Sequence, residues 1–205
     1  MSVSNVSIAA PQGFGAEPTE RLPLPVRESM TDIQKAAADA IIAGPRKAIF
    51  GPFVPLLQLP ILMEWIGKTG EALRFGGSLP EQLRELAICM VARETGNQFE
   101  WQTHASKAVE VGVAQDAIDT LAAGRRPRGL TAEEEAVTDF VAELMQRQGV
   151  SQPTYEEAVR LFGEAGTVEL TALAGYFVMV CWIMKVARTP GPAGSNVIPL
   201  QAFPA

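Results

Sequence analysis

Apolar residues recur along the chain at the spacing of amphipathic helices, and several of these segments begin with a capping box. In a capping box a Ser or Thr side chain accepts from the backbone N–H three residues later, and a Glu or Gln at that position bonds back. The four boxes are Thr31 with Gln34, Ser78 with Glu81, Thr131 with Glu134, and Thr154 with Glu157. They predict helices over 31–43, 79–95, 131–148 and 154–164.

Three further apolar segments lack a capping box and are predicted as helices at 55–75, 97–111 and 168–187, with a short turn at 114–123. Most segments are followed by a glycine, which suits the left-handed residue that commonly ends a helix. These glycines are Gly44, Gly76, Gly96, Gly112, Gly124 and Gly149. No segment alternates apolar and polar residues with period two, so no strand is indicated. The predicted fold class is all-α, with about seven helices.

The helical pattern predicts a single domain over residues 31–190. Residues 1–30 are rich in Pro and Gly and lack the continuous apolar stretch of a signal peptide, so we expect an extended N-terminal arm. Residues 191–205 follow a Pro-Gly-Pro sequence and are expected to form a C-terminal tail. Two outcomes stay open for these ends: arms that wrap a neighbouring subunit, or disordered tails.

Two segments share a pattern that could reflect an internal repeat. Residues 85–104 and 169–188 both begin Glu-Leu and continue as apolar helices that align without gaps. The aligned pairs are Asn97 with Cys181, Glu100 with Met184, and His104 with Arg188. A pseudo-twofold duplication and a merely shared helical pattern account for this similarity equally well.

Composition narrows the class of protein. A net charge of −6 without a cluster of Lys and Arg argues against nucleic acid as a partner. Cys89 and Cys181 lie inside apolar runs, as small buried residues do in a reducing cytoplasm. The apolar stretch 170–184 is bounded by Glu169 and Lys185 and is shorter than the roughly 20 residues that span a bilayer. We therefore expect a buried helix, no membrane partner and a cytoplasmic location.

One face of the helix predicted at 97–111 combines polar and apolar side chains. Asn97, Trp101 and His104 share this face, and Glu100 lies at its side. His104 is the only histidine of the chain. A core face with polar groups needs polar partners, so this face is expected to line a polar interior.

The preceding helix supplies a candidate partner. Residues 86–92 are apolar on all sides, which indicates a central helix, and Glu85 opens it. A bend at Gly96 could fold Glu85 back towards His104. Glu85 would then fix one imidazole nitrogen and leave the other for a substrate, as acid–base catalysis requires. Burial is expected to raise the carboxyl pKa and lower the histidine pKa, bringing both towards neutrality.

The same three residues are also compatible with a structural role or a metal site. Glu85 could simply interact with the helix dipole, and His104 could be a satisfied core histidine with solvated acids nearby. Glu100 and His104 are four residues apart and could hold a metal ion with Glu85 as third ligand. Nucleophilic chemistry is less expected, because no serine stands in a nucleophile elbow.

Residues 79–123, with a looser likeness over 50–190, resemble the carboxymuconolactone decarboxylase family, which includes the alkyl hydroperoxidase D proteins. The shared pattern is a Glu that opens a central helix, a break at a Gly, and a His on the next helix. The resemblance implies an all-helical fold and a homo-oligomer, often a trimer or hexamer, with a dimer also open. It also implies sites near subunit contacts.

The same resemblance separates two branches of the family. In the peroxidase branch a Cys-x-x-Cys pair precedes the His; here Asn97 and Glu100 occupy the two Cys positions, while Glu85 and His104 match the Glu and the His. Without these thiols a thiol peroxidase is not expected. The match favours the cysteine-free branch, for which the resemblance implies decarboxylation of a lactone without metal or organic cofactor. His104 would be the acid–base group, Glu85 its orienting partner, Glu100 a second proton carrier or polar anchor, and Asn97 a donor to the enolate.

Candidate substrate-binding residues complete this hypothesis. Arg93 is the best placed cation for an anionic substrate, ahead of Arg84 and Arg188, although it could instead pair with Glu94 or Glu110 on the surface. Aromatic side chains could line the pocket, with plain core packing as the alternative. They are Phe50, Phe53, Trp65, Trp101 and Tyr176.

The sequence thus predicts a cofactor-independent lyase or isomerase that acts on a small carboxylated or lactone metabolite. The alternative is a non-catalytic ligand-binding or assembly protein with the same fold. A metal-dependent enzyme is the third hypothesis.

Overall fold

The computed structural model describes residues 19–192 and 194–201, and within these ranges it contains eight α-helices and no strand. A 3-10 turn at Arg27–Ser29 precedes them. The helices are α1 Asp32–Ala43, α2 Phe53–Leu56, α3 Pro60–Phe75, α4 Glu81–Thr95, α5 Gln98–Glu110, α6 Gln115–Ala122, α7 Ala132–Arg147 and α8 Gln152–Ala187. The all-α fold class is confirmed.

Helix α4 forms the centre of the core. It packs against α5, α7 and α8, and its residues 86–92 are each at most 5% exposed. A helix that is apolar on all sides gains most from burial when other helices surround it, which is why this segment lies innermost. The prediction of a central helix from this run is confirmed.

Two of the four capping boxes are present, at Thr31 and at Thr131. The box at Ser78 is wrong, because α4 begins after Pro80 and both the backbone N–H and the hydroxyl of Ser78 donate to Glu169. The box at Thr154 is also wrong, since α8 begins one turn earlier with Ser151 as its N-cap. Pro153 fits the first helical turn, where its missing N–H costs no hydrogen bond.

Two predicted helix boundaries differ from the structure, and the short turn predicted at 114–123 is the eight-residue helix α6. The helix predicted over 55–75 is divided into α2 and α3, because Pro60 starts a new helix at its first turn. The helices predicted at 154–164 and 168–187 are parts of α8, which is interrupted at Gly163, where φ is 70° and ψ is 174°. That positive φ suits glycine, so the interruption falls on the residue that permits it.

The described parts of both ends pack on the chain itself. The backbone N–H of Arg21 donates to the carbonyl of Ala187 at 2.8 Å. Leu200 is 1% exposed, and its backbone exchanges two hydrogen bonds with the Gln98 side chain, at 2.8 and 2.9 Å. The described residues of the C-terminal tail are therefore anchored on the chain's own helices at Leu200. The rest of the predicted arm and tail, 1–18 and 202–205, lies outside the described residues.

Helix α8 is the one helix in the described ranges that is long and apolar enough to cross a membrane. Half of the most apolar 18-residue stretch of α8 is buried inside the protein, where α8 packs on α4 and α7. These are the features of a core helix, as predicted for residues 170–184.

Candidate active site

A sharp turn between α4 and α5 assembles the site. Gly96 ends α4 with φ 61° and ψ 36°, a left-handed conformation that glycine adopts without strain. Asn97 then caps α5, its side chain accepting from the backbone N–H of Glu100 at 2.9 Å. Because of this turn α5 runs back along α4, and the residues after the cap face the first turn of α4.

His104 lies between two carboxylates. Its Nδ1 is 2.5 Å from Glu85 Oε2, and its Nε2 is 3.2 Å from Glu100 Oε2. All three residues are buried, with exposures of 2%, 2% and 3% for Glu85, His104 and Glu100. The predicted convergence of these residues is present, but the expectation of a free second nitrogen is wrong, because Glu100 occupies it.

A lysine connects this buried group with the surface. Lys107 Nζ is 3.1 Å from Glu85 Oε1 and 2.8 Å from Glu81 Oε1. The Lys107 side chain is 31% exposed and that of Glu81 is 48% exposed. Lys107 was not predicted as a site residue, although its position three residues after His104 places it on the same helix face.

The charge state of the pair differs from the prediction in both members. Burial tends to raise the pKa of Glu85, but the bonds and charges of His104 and Lys107 lower it overall. Burial likewise tends to lower the pKa of His104, but its bonds to Glu100 and Glu85 raise it overall. Counter-charges therefore outweigh desolvation, which favours the carboxylate–imidazolium form of the Glu85–His104 pair.

A small cavity of about 40 Å³ opens beside Glu100 and His104. Aromatic rings form much of its wall, and the His104 ring meets that of Phe177 edge-on, with centroids 5.4 Å apart. Its other lining residues include Arg46, Phe50, Phe53, Arg74, Phe99, Thr103, Tyr176 and Val180. A larger groove of about 430 Å³ between α1 and α3 contains none of the three buried residues.

The predicted wall residues Phe53, Phe50 and Tyr176 line the cavity, and burial raises the pKa of Tyr176 to about 12. Trp65 does not, because it is 61% exposed on α3 with the Lys68 ammonium over its ring. Trp101 is buried elsewhere, and its indole N–H donates to the carbonyl of Ile198 at 3.1 Å.

Two predicted polar contacts also fall outside the cavity. The Asn97 amide donates to the carbonyl of Cys181 at 3.1 Å and its oxygen caps α5, so the predicted donor to an enolate is engaged in structure. Arg93 is 3% exposed, donates to the carbonyl of Gln201 at 2.7 Å and lines a separate cavity of about 220 Å³.

Among the described residues, the arginines that line this cavity are Arg46 and Arg74, and neither was predicted from the sequence. Arg46 lies in the loop before α2 and Arg74 in the last turn of α3. Both are far in sequence from His104, and no motif marks them. Only the packing of α3 and of this loop against α5 and α8 places them here.

The chain offers no reactive thiol at this site. Cys89 and Cys181 are free and buried, and burial raises the pKa of both. The metal-site geometry is also not met, since Glu85 and Glu100 bond to opposite nitrogens of His104 and do not converge on one point. Over 19–192 and 194–201, no group of three His, Cys, Asp or Glu side chains could hold a metal ion.

Fold and site together define an all-helical protein with a Glu–His–Glu group at a buried cavity. Residues 60–143, which contain all three of these side chains, match the model of the carboxymuconolactone decarboxylase family. This match agrees with the resemblance found in the sequence, in which Asn97 and Glu100 stand where the peroxidase branch has its two Cys. Comparison with curated proteins gave no match.

Solved structures share the fold at low sequence identity. An alkylhydroperoxidase AhpD core, an uncharacterized peroxidase-related protein from Ralstonia eutropha JMP134, matches with a TM-score of 0.69 and 14% identity, covering 87% of this chain and 95% of that one. An uncharacterized peroxidase-related protein from Silicibacter sp. TM1040 gives 0.67 and 15%, with 88% and 95% covered. The debrominase Bmp8 gives 0.66 and 11%, with 86% and 95% covered. These likenesses support the fold alone.

Proposed function

We propose that this protein is a cofactor-independent lyase or isomerase that acts on a small carboxylated or lactone metabolite by acid–base chemistry at His104. The observation that carries the proposal is the buried Glu85–His104–Glu100 group on the wall of a cavity. A fully buried imidazolium between two carboxylates has a proton to give and a partner on each side to take or return one.

The three side chains divide the work. Glu85 holds Nδ1 and stabilises the imidazolium, so it is a positioning residue. His104 and Glu100 both reach the cavity and would exchange a proton with the substrate. Lys107 and Glu81 connect Glu85 to solvent, which offers a route for replacing the proton.

For a lactone carboxylate the electron movement is simple. The bond from the ring carbon to the carboxylate breaks, and its electron pair moves into the conjugated carbonyl of the lactone. Carbon dioxide leaves, and the dienolate takes a proton from His104, directly or through Glu100. An isomerisation uses the same groups, with the proton removed from one carbon and returned to another. The imidazolium stabilises the developing enolate in both cases.

Deuterium exchange and turnover test this proposal. With carboxymuconolactone as probe, loss of substrate absorbance reports decarboxylation, and NMR in D₂O reports proton exchange in unsaturated lactones. His104→Gln should lower both rates by about two orders of magnitude or more. Glu100→Gln should also slow them, whereas Glu110→Gln, on the exposed end of the same helix, should not. Equal rates in wild type and His104→Gln would refute the assignment.

The runner-up is a non-catalytic ligand-binding or assembly protein of this fold. The small size of the cavity, about 40 Å³, is the observation in its favour. A variant of the debrominase Bmp8 has been solved in complex with 2,3,4-tribromopyrrole, so in that protein a small planar ring is the bound molecule. A wild-type protein that binds small rings but neither decarboxylates nor exchanges protons would favour this alternative.

We also propose that the protein works as a homo-oligomer in the cytoplasm, as a trimer or hexamer or as a dimer, without nucleic acid or membrane as a partner. Large apolar side chains exposed on α3 and α8 support an assembly. They are Ile61, Leu62, Trp65, Val168, Trp182 and Val186. Sedimentation equilibrium measures the number of subunits.

A further inference from the structure

The cavity beside Glu100 and His104 is also lined by two cationic side chains that the acid–base chemistry does not use. Arg46 and Arg74 line it together with Glu100 and His104. The two arginines, Arg46 and Arg74, come from different elements, and only Arg46 forms an ion pair within the described residues.

Arg46 is a structural cation. Its side chain is 6% exposed, its Nη1 is 2.5 Å from Glu71 Oε1, and its Nη2 donates to the carbonyl of Gly67 at 3.2 Å. The guanidinium also lies 4.4 Å from the centre of the Phe53 ring. Glu71 balances its charge, and the contacts with α3 fix the loop that forms one side of the cavity.

Arg74 has no such counter-charge. Among the described residues no carboxylate lies within 4.0 Å of its guanidinium, which lies 5.1 Å from the centre of the Phe75 ring. An arginine in the last turn of a helix interacts favourably with the helix dipole. The dipole does not account for a half-buried guanidinium on the wall of a cavity, where an unbalanced charge favours an anion.

We infer that Arg74 binds a carboxylate of the substrate and thereby makes the site selective for small planar anions. The inference rests on the proposed function for the identity of the reacting end. Tyr176, which stays protonated because burial raises its pKa to about 12, lines the same cavity and can donate to the carboxylate. Phe50, Phe53 and Phe99 offer apolar faces for a flat body.

This subsite fixes the direction in which a substrate enters. Glu100 repels an anion, so the carboxylate lies against Arg74 and another part of the ligand meets His104. A guanidinium stabilises the ground state of a carboxylate and so opposes its loss as carbon dioxide. The carboxylate on Arg74 is therefore an anchor and not the leaving group. A cavity of about 40 Å³ has room for a few waters only, so the ligand is small or extends out of the cavity.

Calorimetric titration with 2-furoate and its neutral analogue 2-furamide tests the subsite without requiring turnover. We expect wild type to bind 2-furoate at least about tenfold more tightly than 2-furamide, the range for one charge-assisted pair. Arg74→Gln should lose this preference and Arg74→Lys should retain part of it. Arg160→Gln, an exposed arginine that pairs with Glu157, is the matched control and should bind both as wild type does.

Three outcomes would overturn the inference: equal affinity of wild type for the two ligands, no binding of 2-furoate, or a preference that survives in Arg74→Gln. Thermal unfolding of each variant verifies that it is folded. If Arg74→Gln does not fold, the partial loss of preference expected for Arg74→Lys still tests the inference. Intact discrimination without any turnover that depends on His104 would refute the proposed function alone. Lost discrimination with intact turnover would refute only the subsite.

Discussion

The two segments that begin Glu-Leu, 85–104 and 169–188, share an apolar pattern but follow different paths. Each contains a single glycine. In the first segment Gly96 takes a left-handed conformation, ends α4 and lets the chain return as α5. In the second segment Gly175 lies inside α8, which continues to Ala187. The glycine that leaves the helix, and not the apolar pattern, distinguishes the segments.

The difference in path decides what each glutamate does. Glu85 is buried and bonds to His104, which the returning helix brings to it. Glu169 is half-buried and accepts from the backbone and hydroxyl of Ser78. The same residue in the same pattern is thus part of a candidate active site in one segment and a local anchor in the other. The second segment does not repeat the helical hairpin of the first. Internal duplication of the two segments stays a prediction.

The largest expected effect on stability is that of replacing Glu85, and replacing Glu169 provides the comparison. Glu85→Gln should lower the free energy of unfolding by about 3–5 kcal/mol at about pH 6, because it removes one of the two carboxylates that stabilise the buried imidazolium. Glu169→Gln should cost only about 1 kcal/mol, since the amide oxygen still accepts and the site is partly solvated. Urea unfolding followed by circular dichroism measures both.

Equal costs for Glu85→Gln and Glu169→Gln would contradict the contrast between the segments. Glu110→Gln, an exposed carboxylate on α5, is the control and should change the unfolding free energy little.

The dependence of stability on pH sharpens the same comparison. Because the pKa of His104 is raised in the folded state, its protonated form stabilises the fold. This stabilisation is complete below the pKa of the unfolded state, about 6.5, and is lost as pH rises through the folded pKa. Because the pKa of Glu85 is lowered in the folded state, its ionised form stabilises the fold. This stabilisation is complete above the pKa of the unfolded state, about 4.3, and is lost as pH falls through the folded pKa. The pair should stabilise most between about pH 4.3 and about pH 6.5.

Unfolding free energies across this pH range provide the measurement. His104→Gln should abolish the decline on the alkaline side, whereas Glu169→Gln should keep it. A wild-type profile that instead gains stability as pH rises above about 6.5 would mean that His104 is neutral in the fold.

Local signals in the sequence predicted the parts of the site that local geometry fixes. Gly96 marks a helix end by its own conformational freedom, and the hairpin that follows brings His104 to Glu85. The caps at Thr31 and Thr131 are equally local, because both partners belong to one turn.

Long-range partners account for what the sequence did not predict. Ser78 bonds to Glu169, 91 residues away, in place of Glu81. The pKa directions were wrong because burial was considered without the charges of Glu100 and Lys107. Arg74 lines the cavity only because of how α3 packs, and no local pattern in the sequence predicts that packing.

The smallest expected effects concern the two glycines. Gly96→Ala should destabilise the fold by about 1–2 kcal/mol, because a Cβ is strained at φ 61° even though the nearest atom, Lys185 Nζ, is 3.6 Å from the added carbon. Gly175→Ala should stabilise it by about 0.5–1 kcal/mol, since the residue is helical and nothing lies within 4 Å of an added Cβ. Thermal or urea unfolding of the two variants compares them directly.

The signs of these two changes carry more information than their sizes. A stabilising Gly96→Ala would show that the turn before α5 tolerates a side chain, and the path difference between the segments would then lack its physical cause. A destabilising Gly175→Ala would show that the outer side of α8 is covered in solution, because crowding there has no source within the described chain. Repeating the Gly175→Ala measurement at several protein concentrations separates that case, since the loss would then follow the association of subunits.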